Sequence, residues 1–137
     1  MSAAGPPAMS KVVLDASALV AVIIGEPGAD EIISLLPKSV VSSVNLAEVH
    51  SKLVRKGIPR EESWRAATAL VREVIDFDAA QARIAGDLAS LTQSLGLSLG
   101  ERACLALGAS LQAPVYTADR AWKPLKVGVE IRMLRTP

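Results

Sequence analysis

The sequence predicts an α/β fold, with helices packed on a central, mainly parallel β-sheet, and three observations carry that expectation. Short, largely apolar runs, "VVL" at 12–14, "SVV" at 39–41 and "PVYTA" at 114–118, read as strands covered on both faces. Between them lie longer segments whose apolar residues recur at helical spacing. The 137 residues are 50% hydrophobic but only 3% aromatic, so an aliphatic, alanine-rich core lets helices lie close against the sheet. Strands that alternate with helices imply parallel neighbours joined by right-handed crossovers.

Residues 1–10, "MSAAGPPAMS", read as a flexible leader, because they have neither the basic start nor the apolar stretch of a secretory signal. Residues 11–135 carry no internal repeat or long linker and read as one domain, for which this length suffices. "VVL" is the first strand and runs into Asp15, after which small and apolar residues suit a helix. "IIGEPGAD" punctuates the chain, and "ADEIISLL" reads as a short amphipathic helix ended by Pro37. "SVV" is the second buried strand. Leu46, Val49, Leu53 and Val54 then mark a helix that Gly57 and Pro59 stop.

Trp64, Ala67, Leu70, Val71 and Val74 mark a further helix starting near Arg60, and "VIDF" at 74–77 is a short strand candidate. Ile84, Leu88, Leu91 and Leu95 outline the next helix, capped by Gly96. Ser98 opens another through Ala103, Leu107 and Leu111. "PVYTA" is the third clear strand, and the alternation in "VEIRML" at 129–134 is that of an edge strand with one exposed face.

Fifteen basic and fourteen acidic residues leave a net charge of +1, so bulk charge argues neither for nor against nucleic acid. The single cysteine, Cys104, excludes an internal disulfide and reads as a small buried hydrophobe in "ACLALG". No stretch approaches the roughly 20 apolar residues of a membrane span. A cytoplasmic protein is expected.

In parallel α/β sheets, ligands bind beyond the carboxyl ends of the strands. Asp15 stands at the end of the first strand and Asp119 just after "PVYTA". Glu48 and Glu101 stand near helix starts. Each has a structural explanation of its own: Asn45 and Ser98 precede them at capping-box spacing, and Lys52 follows Glu48 at i+4. Asp15 and Asp119 are compatible with N-caps, although Ser17 offers an alternative cap for the first helix. Capping alone does not explain a carboxylate after the most apolar strand. Four acids converging in one cleft would repel one another and retain protons unless a divalent cation bound them. Oxygen donors without histidine or thiol partners select magnesium or manganese.

The stretches "VVLDASALVAV", "SSVNLAEVHSKL", "LSLGERACLALG" and "PVYTADRAW" together resemble the PIN-domain ribonucleases, and within them the VapC toxins of bacterial toxin–antitoxin pairs. The resemblance spans nearly the whole of 11–135. It implies a three-layer PIN-like fold and a metal-dependent endoribonuclease, with RNA as substrate, a cognate antitoxin as partner and a homodimer as assembly. By position it makes Asp15, Glu48, Glu101 and Asp119 the catalytic acids, with Asp15, Glu101 and Asp119 as ligands of magnesium or manganese. Ser17 and Thr117 fall at the supporting hydroxyl positions. Glu101 departs from the pattern, since "LSLGDRACLAL" is the more usual form. Its extra methylene moves the carboxylate outward by about 1.5 Å.

His50 reads as a packed histidine rather than a ligand, and Trp122 as core, with base stacking as the alternative. Lys52, Arg55, Lys56, Arg60 and Arg65, with Arg120, Lys123 and Lys126, form two basic clusters suited to an RNA backbone. On the order of six phosphate contacts would make binding steeply salt-dependent. Two rival functions fit parts of the pattern. One is a PIN-like binding module with weakened catalysis, supported by Glu101. The other is an aspartate-based phosphohydrolase or receiver, weakened because Ser17 stands where a phosphohydrolase would place its second acid.

Overall fold

The computed structural model describes residues 10–93, 96–122 and 127–134. Five strands, β1 (Val12–Leu14), β2 (Ser39–Ser42), β3 (Glu73–Ile75), β4 (Val115–Thr117) and β5 (Ile131–Met133), form one sheet in the order β3-β2-β1-β4-β5. Every neighbouring pair is parallel; β1 pairs Val13 with Val40 of β2 on one side and with Val115 of β4 on the other. A receiver sheet runs 2-1-3-4-5, so this order sets the receiver form of that rival aside. Six α-helices accompany the sheet among the described residues: α1 (Ala16–Ile24), α2 (Asp30–Leu35), α3 (Ser43–Arg55), α4 (Arg60–Ala69), α5 (Ala79–Thr92) and α6 (Leu99–Leu111).

The period of two along each strand makes the layers. Val12, Leu14, Val41 and Tyr116 face Leu19, Ile32, Leu46, Val49, Leu53 and Ala67 from α1 to α4. Val13, Val40 and Val115 face the opposite way, onto Leu88, Cys104, Leu105 and Leu107 of α5 and α6. Both faces of the central strands are therefore covered, which is why they read as continuous apolar runs. Burying each large aliphatic side chain here contributes roughly 1.5–3 kcal/mol. The outer strands are less buried: β3 is largely exposed and β5 alternates.

The second helix does end at Pro37: α2 stops at Leu35, and Pro37 sits in a 3-10 turn, Leu36–Lys38, at a position where no backbone donor is needed. Several local expectations differ from the structure. Helix α4 ends at Ala69, short of Leu70, Val71 and Val74, and Val74 belongs to β3. Its inward positions are Ser63 and Ala67, whereas Trp64 is 46% exposed. Leu91 is 63% exposed rather than part of a buried stripe, and Leu95 lies outside the described residues. Gly96 is not the cap expected for α5, whose C-cap is Gln93; it adopts φ +60° in the turn beyond. Among the described residues no helix is long and apolar enough to cross a membrane.

Candidate active site

The strand order reverses beside β1, whose chain neighbours lie to one side while β4 lies to the other. A crevice opens at such a switch point, beyond the carboxyl ends of the strands. Asp15 follows β1 directly and Asp119 lies two residues beyond the end of β4. The two are thus brought together by the sheet, not by proximity in the chain.

Asp15 is 5% exposed and is the N-cap of α1, a role Ser17 does not take. Its Oδ1 accepts from the Ala18 backbone N–H at 2.8 Å and from Ser17 Oγ at 2.7 Å, while Oδ2 accepts from Thr117 Oγ1 at 2.5 Å. The two hydroxyls are held from behind: Ser17 Oγ accepts from Ala118 N–H and Thr117 Oγ1 from Asp119 N–H, each at 2.9 Å. With both hydroxyl hydrogens directed at Asp15, the 3.3 Å approach of Ser17 to Thr117 is a contact between oxygens whose hydrogens are already engaged. Burial nevertheless pushes the Asp15 carboxyl up to about 6; the donors from Thr117, Ala18 and Ser17 lower it less than burial raises it, and the charge of Asp119 raises it further. Capping satisfies one backbone N–H. It does not remove the cost of the buried charge.

Glu48 comes from α3. The true N-cap of that helix is Ser42, which places Asn45 inside the first turn, so the capping box expected from "NLAE" is not formed. Instead Asn45 Nδ2 donates to Glu48 Oε1 at 2.9 Å and to the Gly100 carbonyl at 2.9 Å. Glu101 comes from the first turn of α6, where Ser98 Oγ accepts its backbone N–H at 3.2 Å as expected. Its side chain does not complete the box; Oε2 accepts from Trp122 Nε1 at 3.3 Å. Trp122 is itself fully buried against α6, which rules out its use as a base-stacking platform.

Asp15, Ser17, Glu48, Glu101 and Asp119 line one cleft of about 180 Å³, with Asn45 and Lys52 in its wall. All four expected acids are therefore assembled, and Thr117 stands beneath them. Neither histidine nor cysteine lines the cleft. Cys104 is fully buried behind it, and burial first, then the charges of Asp15 and Glu48, hold its thiol protonated. His50 packs edge-on against Trp64 at 5.3 Å on the α3–α4 side. Lys52, Arg55, Lys56, Arg60, Arg65 and Arg120 are exposed, whereas Lys123 and Lys126 lie outside the described residues.

Two residues of the site escaped the sequence pattern. Asn45 looked like a cap. Gly100 was passed over, although glycine in a helix costs about 1 kcal/mol relative to alanine and is a signal in itself. As for a cation, the donors are the hard oxygens that magnesium or manganese prefers. Among the described residues, however, no three Asp, Glu, His or Cys side chains already stand together as a metal-binding group. The donor chemistry fits; the acids would have to draw in around the ion.

A parallel α/β sheet with an acidic cleft at its switch point defines the class of this molecule, and the comparisons place it more narrowly. The family model for the PIN domain matches residues 12–127, and the chain belongs to that family. Its fold is shared with a DNA-bound VapBC from Salmonella typhimurium (TM-score 0.73, 19% identity, 93% of this chain and 100% of that one). It is likewise similar to VapBC2 from Rickettsia felis bound to a promoter DNA fragment (TM-score 0.71, 21% identity, 90% and 98%). A third similar structure is VapC20 from Mycobacterium tuberculosis, a toxin that cleaves the Sarcin–Ricin loop (TM-score 0.68, 16% identity, 85% and 98%). No curated protein sequence matches the chain.

Proposed function

We propose that this PIN domain is a magnesium- or manganese-dependent endoribonuclease and the toxin of a toxin–antitoxin pair, acting in the cytoplasm as a homodimer. The observation that carries the reading is the buried Asp15 carboxylate at the floor of a cleft lined by three further acids. A group that binding would deprotonate, surrounded by like charges, is explained by a cation. Similar folds include a member of the VapBC family of toxin–antitoxin systems, which supports an antitoxin as the partner, and VapC20 is a Sarcin–Ricin loop cleaving toxin, which supports a nucleic-acid substrate that we take to be RNA.

Asp15, Glu101 and Asp119 would hold the ion. When bound, a divalent cation would supply the charge that orients a phosphodiester, lowers the pKa of a water and offsets charge on the departing oxygen. Ser17 and Thr117 keep the Asp15 carboxylate in one orientation, so its oxygens need no reorganisation during the reaction. Glu48, the acid outside the metal set, takes the proton from the attacking water. Lys52 in the cleft wall faces the substrate backbone with a positive charge. Cleavage of an RNA pool should require added magnesium or manganese and stop in EDTA; undiminished cleavage in excess chelator refutes the mechanism.

One observation favours a second reading. Glu101 Oε2 already accepts a hydrogen bond from Trp122, which weakens its claim as a metal ligand and suits a PIN-like binding module. RNA binding without cleavage at any metal concentration would select that alternative.

A further inference from the structure

Asn45 is 1% exposed and lies where α3 meets the start of α6. Its two amide hydrogens go to Glu48 Oε1 and to the Gly100 carbonyl. This settles which way the amide faces: turned over, Oδ1 would stand against a carboxylate and a carbonyl with no hydrogen among them. The adopted orientation leaves Oδ1 buried without a partner, so the two donated bonds, one of them to a charged acceptor, decide the arrangement.

Gly100 supplies the space. A Cβ at this position would stand 2.5 Å from Glu48 Cδ and Oε1, so any side chain there would push the Glu48 carboxylate out of its place. Glu48 otherwise belongs to an exposed position, where a glutamate is free to sample several rotamers.

We propose that Asn45 is a positioning residue: together with the bare backbone of Gly100 it forms a slot that locks the Glu48 carboxylate in one orientation at the cleft, beside Glu101. The inference rests on the reading of Glu48 as a catalytic acid. It makes the approach of α3 to α6 part of the catalytic geometry, because the same amide ties both helices.

The test measures kcat and KM for metal-dependent RNA cleavage by wild type, Asn45→Ala, Asn45→Asp and Gly100→Ala, with the Asn45 substitutions repeated in a Glu48→Gln background. Displacing a reacting group by about 1 Å costs roughly a hundredfold, so kcat should fall by about 10- to 100-fold while KM changes by less than about twofold. Asn45→Asp keeps the shape but removes the donors, so it should be at least as damaging as Asn45→Ala. With Glu48→Gln present, either Asn45 substitution should change kcat by less than about twofold, since nothing remains to position. Wild-type kcat in Asn45→Asp, or an equal loss in both backgrounds, would overturn the proposal and leave Asn45 a packing role.

Amide hydrogen exchange separates this inference from the nuclease reading. The Asn45 side-chain amide should exchange slowly in wild type and quickly in Glu48→Ala. If it does so in a protein that cleaves no RNA, the slot stands and the nuclease reading falls. Equally fast exchange in both proteins would overturn the slot whatever the activity.

Discussion

Replacing Asp15 by asparagine removes a charge from beneath the end of β1 and almost no volume. The wild-type carboxyl is raised from its usual 3.8 to about 6, chiefly by burial. A carboxyl whose pKa is higher in the folded than in the unfolded chain binds its proton more tightly when folded. Its contribution to stability is therefore intact below about pH 4 and is lost as pH rises through about 6. One pKa unit is about 1.4 kcal/mol, so the full loss approaches 3 kcal/mol, of which about 2 kcal/mol falls between pH 4 and pH 7. Asparagine does not ionise and escapes this loss. Its Oδ1 still accepts from Ala18 and Ser17, but Nδ2 must then donate to Thr117, whose hydroxyl has to turn; that rearrangement costs about 1 kcal/mol at every pH. Urea denaturation in EDTA at several pH values is the assay. The difference between Asp15→Asn and wild type should grow in favour of the variant by about 2 kcal/mol from pH 4 to pH 7, a relative midpoint change of about 1 M. Added magnesium or manganese should then stabilise wild type and leave the variant unchanged. Parallel stability curves for the two proteins across this range would refute the account of Asp15 as a buried charge awaiting a cation.

Glu101→Asp shortens a side chain that now reaches Trp122 Nε1. It should tighten manganese binding, measured by calorimetric titration, yet destabilise the fold by about 1–3 kcal/mol because a fully buried indole N–H loses its acceptor. Gly108→Ala would set a Cβ 2.6 Å from Val115 Cγ2 and 3.0 Å from Val129 Cγ1, lifting α6 off β4; thermal melts should show a loss of about 1–3 kcal/mol with the cleft acids unchanged in identity. Expression of the chain alone should arrest bacterial growth, and co-expression with an antitoxin encoded beside it should relieve the arrest and yield a co-purifying complex. A chain harmless by itself would refute the toxin assignment.

The local rules of the sequence reach a long way here. Largely apolar runs of three to five residues marked β1, β2 and β4 because a parallel strand covered on both faces has no polar side to show. The position of Asp15 at the end of the first run was a chemical anomaly visible without coordinates, since an isolated buried carboxylate is unfavourable. Ser98 announced the start of α6, and its hydroxyl does accept the Glu101 N–H. The four acids and two hydroxyls were named from strand ends, helix starts and the family resemblance; the acids and Ser17 line the cleft, and Thr117 lies beneath it, bonded to Asp15.

Periodicity, by contrast, marks a stripe without saying what it meets. The two tryptophans show the difference. Trp64 sits on an apolar stripe and is left 46% exposed beside His50, while Trp122 follows a polar turn and is fully buried under α6. Asn45 had the spacing of a cap, but Ser42 lies three residues earlier at the end of β2 and takes the role, which frees the Asn45 amide to bridge two helices. The link between Thr117 and Asp15 spans 102 residues and exists only because β4 pairs with β1. Sequence by itself determined where the chain would extend, where it would coil and which charges needed an explanation, because those follow from local solvation and backbone preference. The tertiary structure alone decided which carboxylates share a cleft, which oxygen of each is engaged and how high burial drives Asp15, because these depend on distances between segments that the chain brings together only by folding.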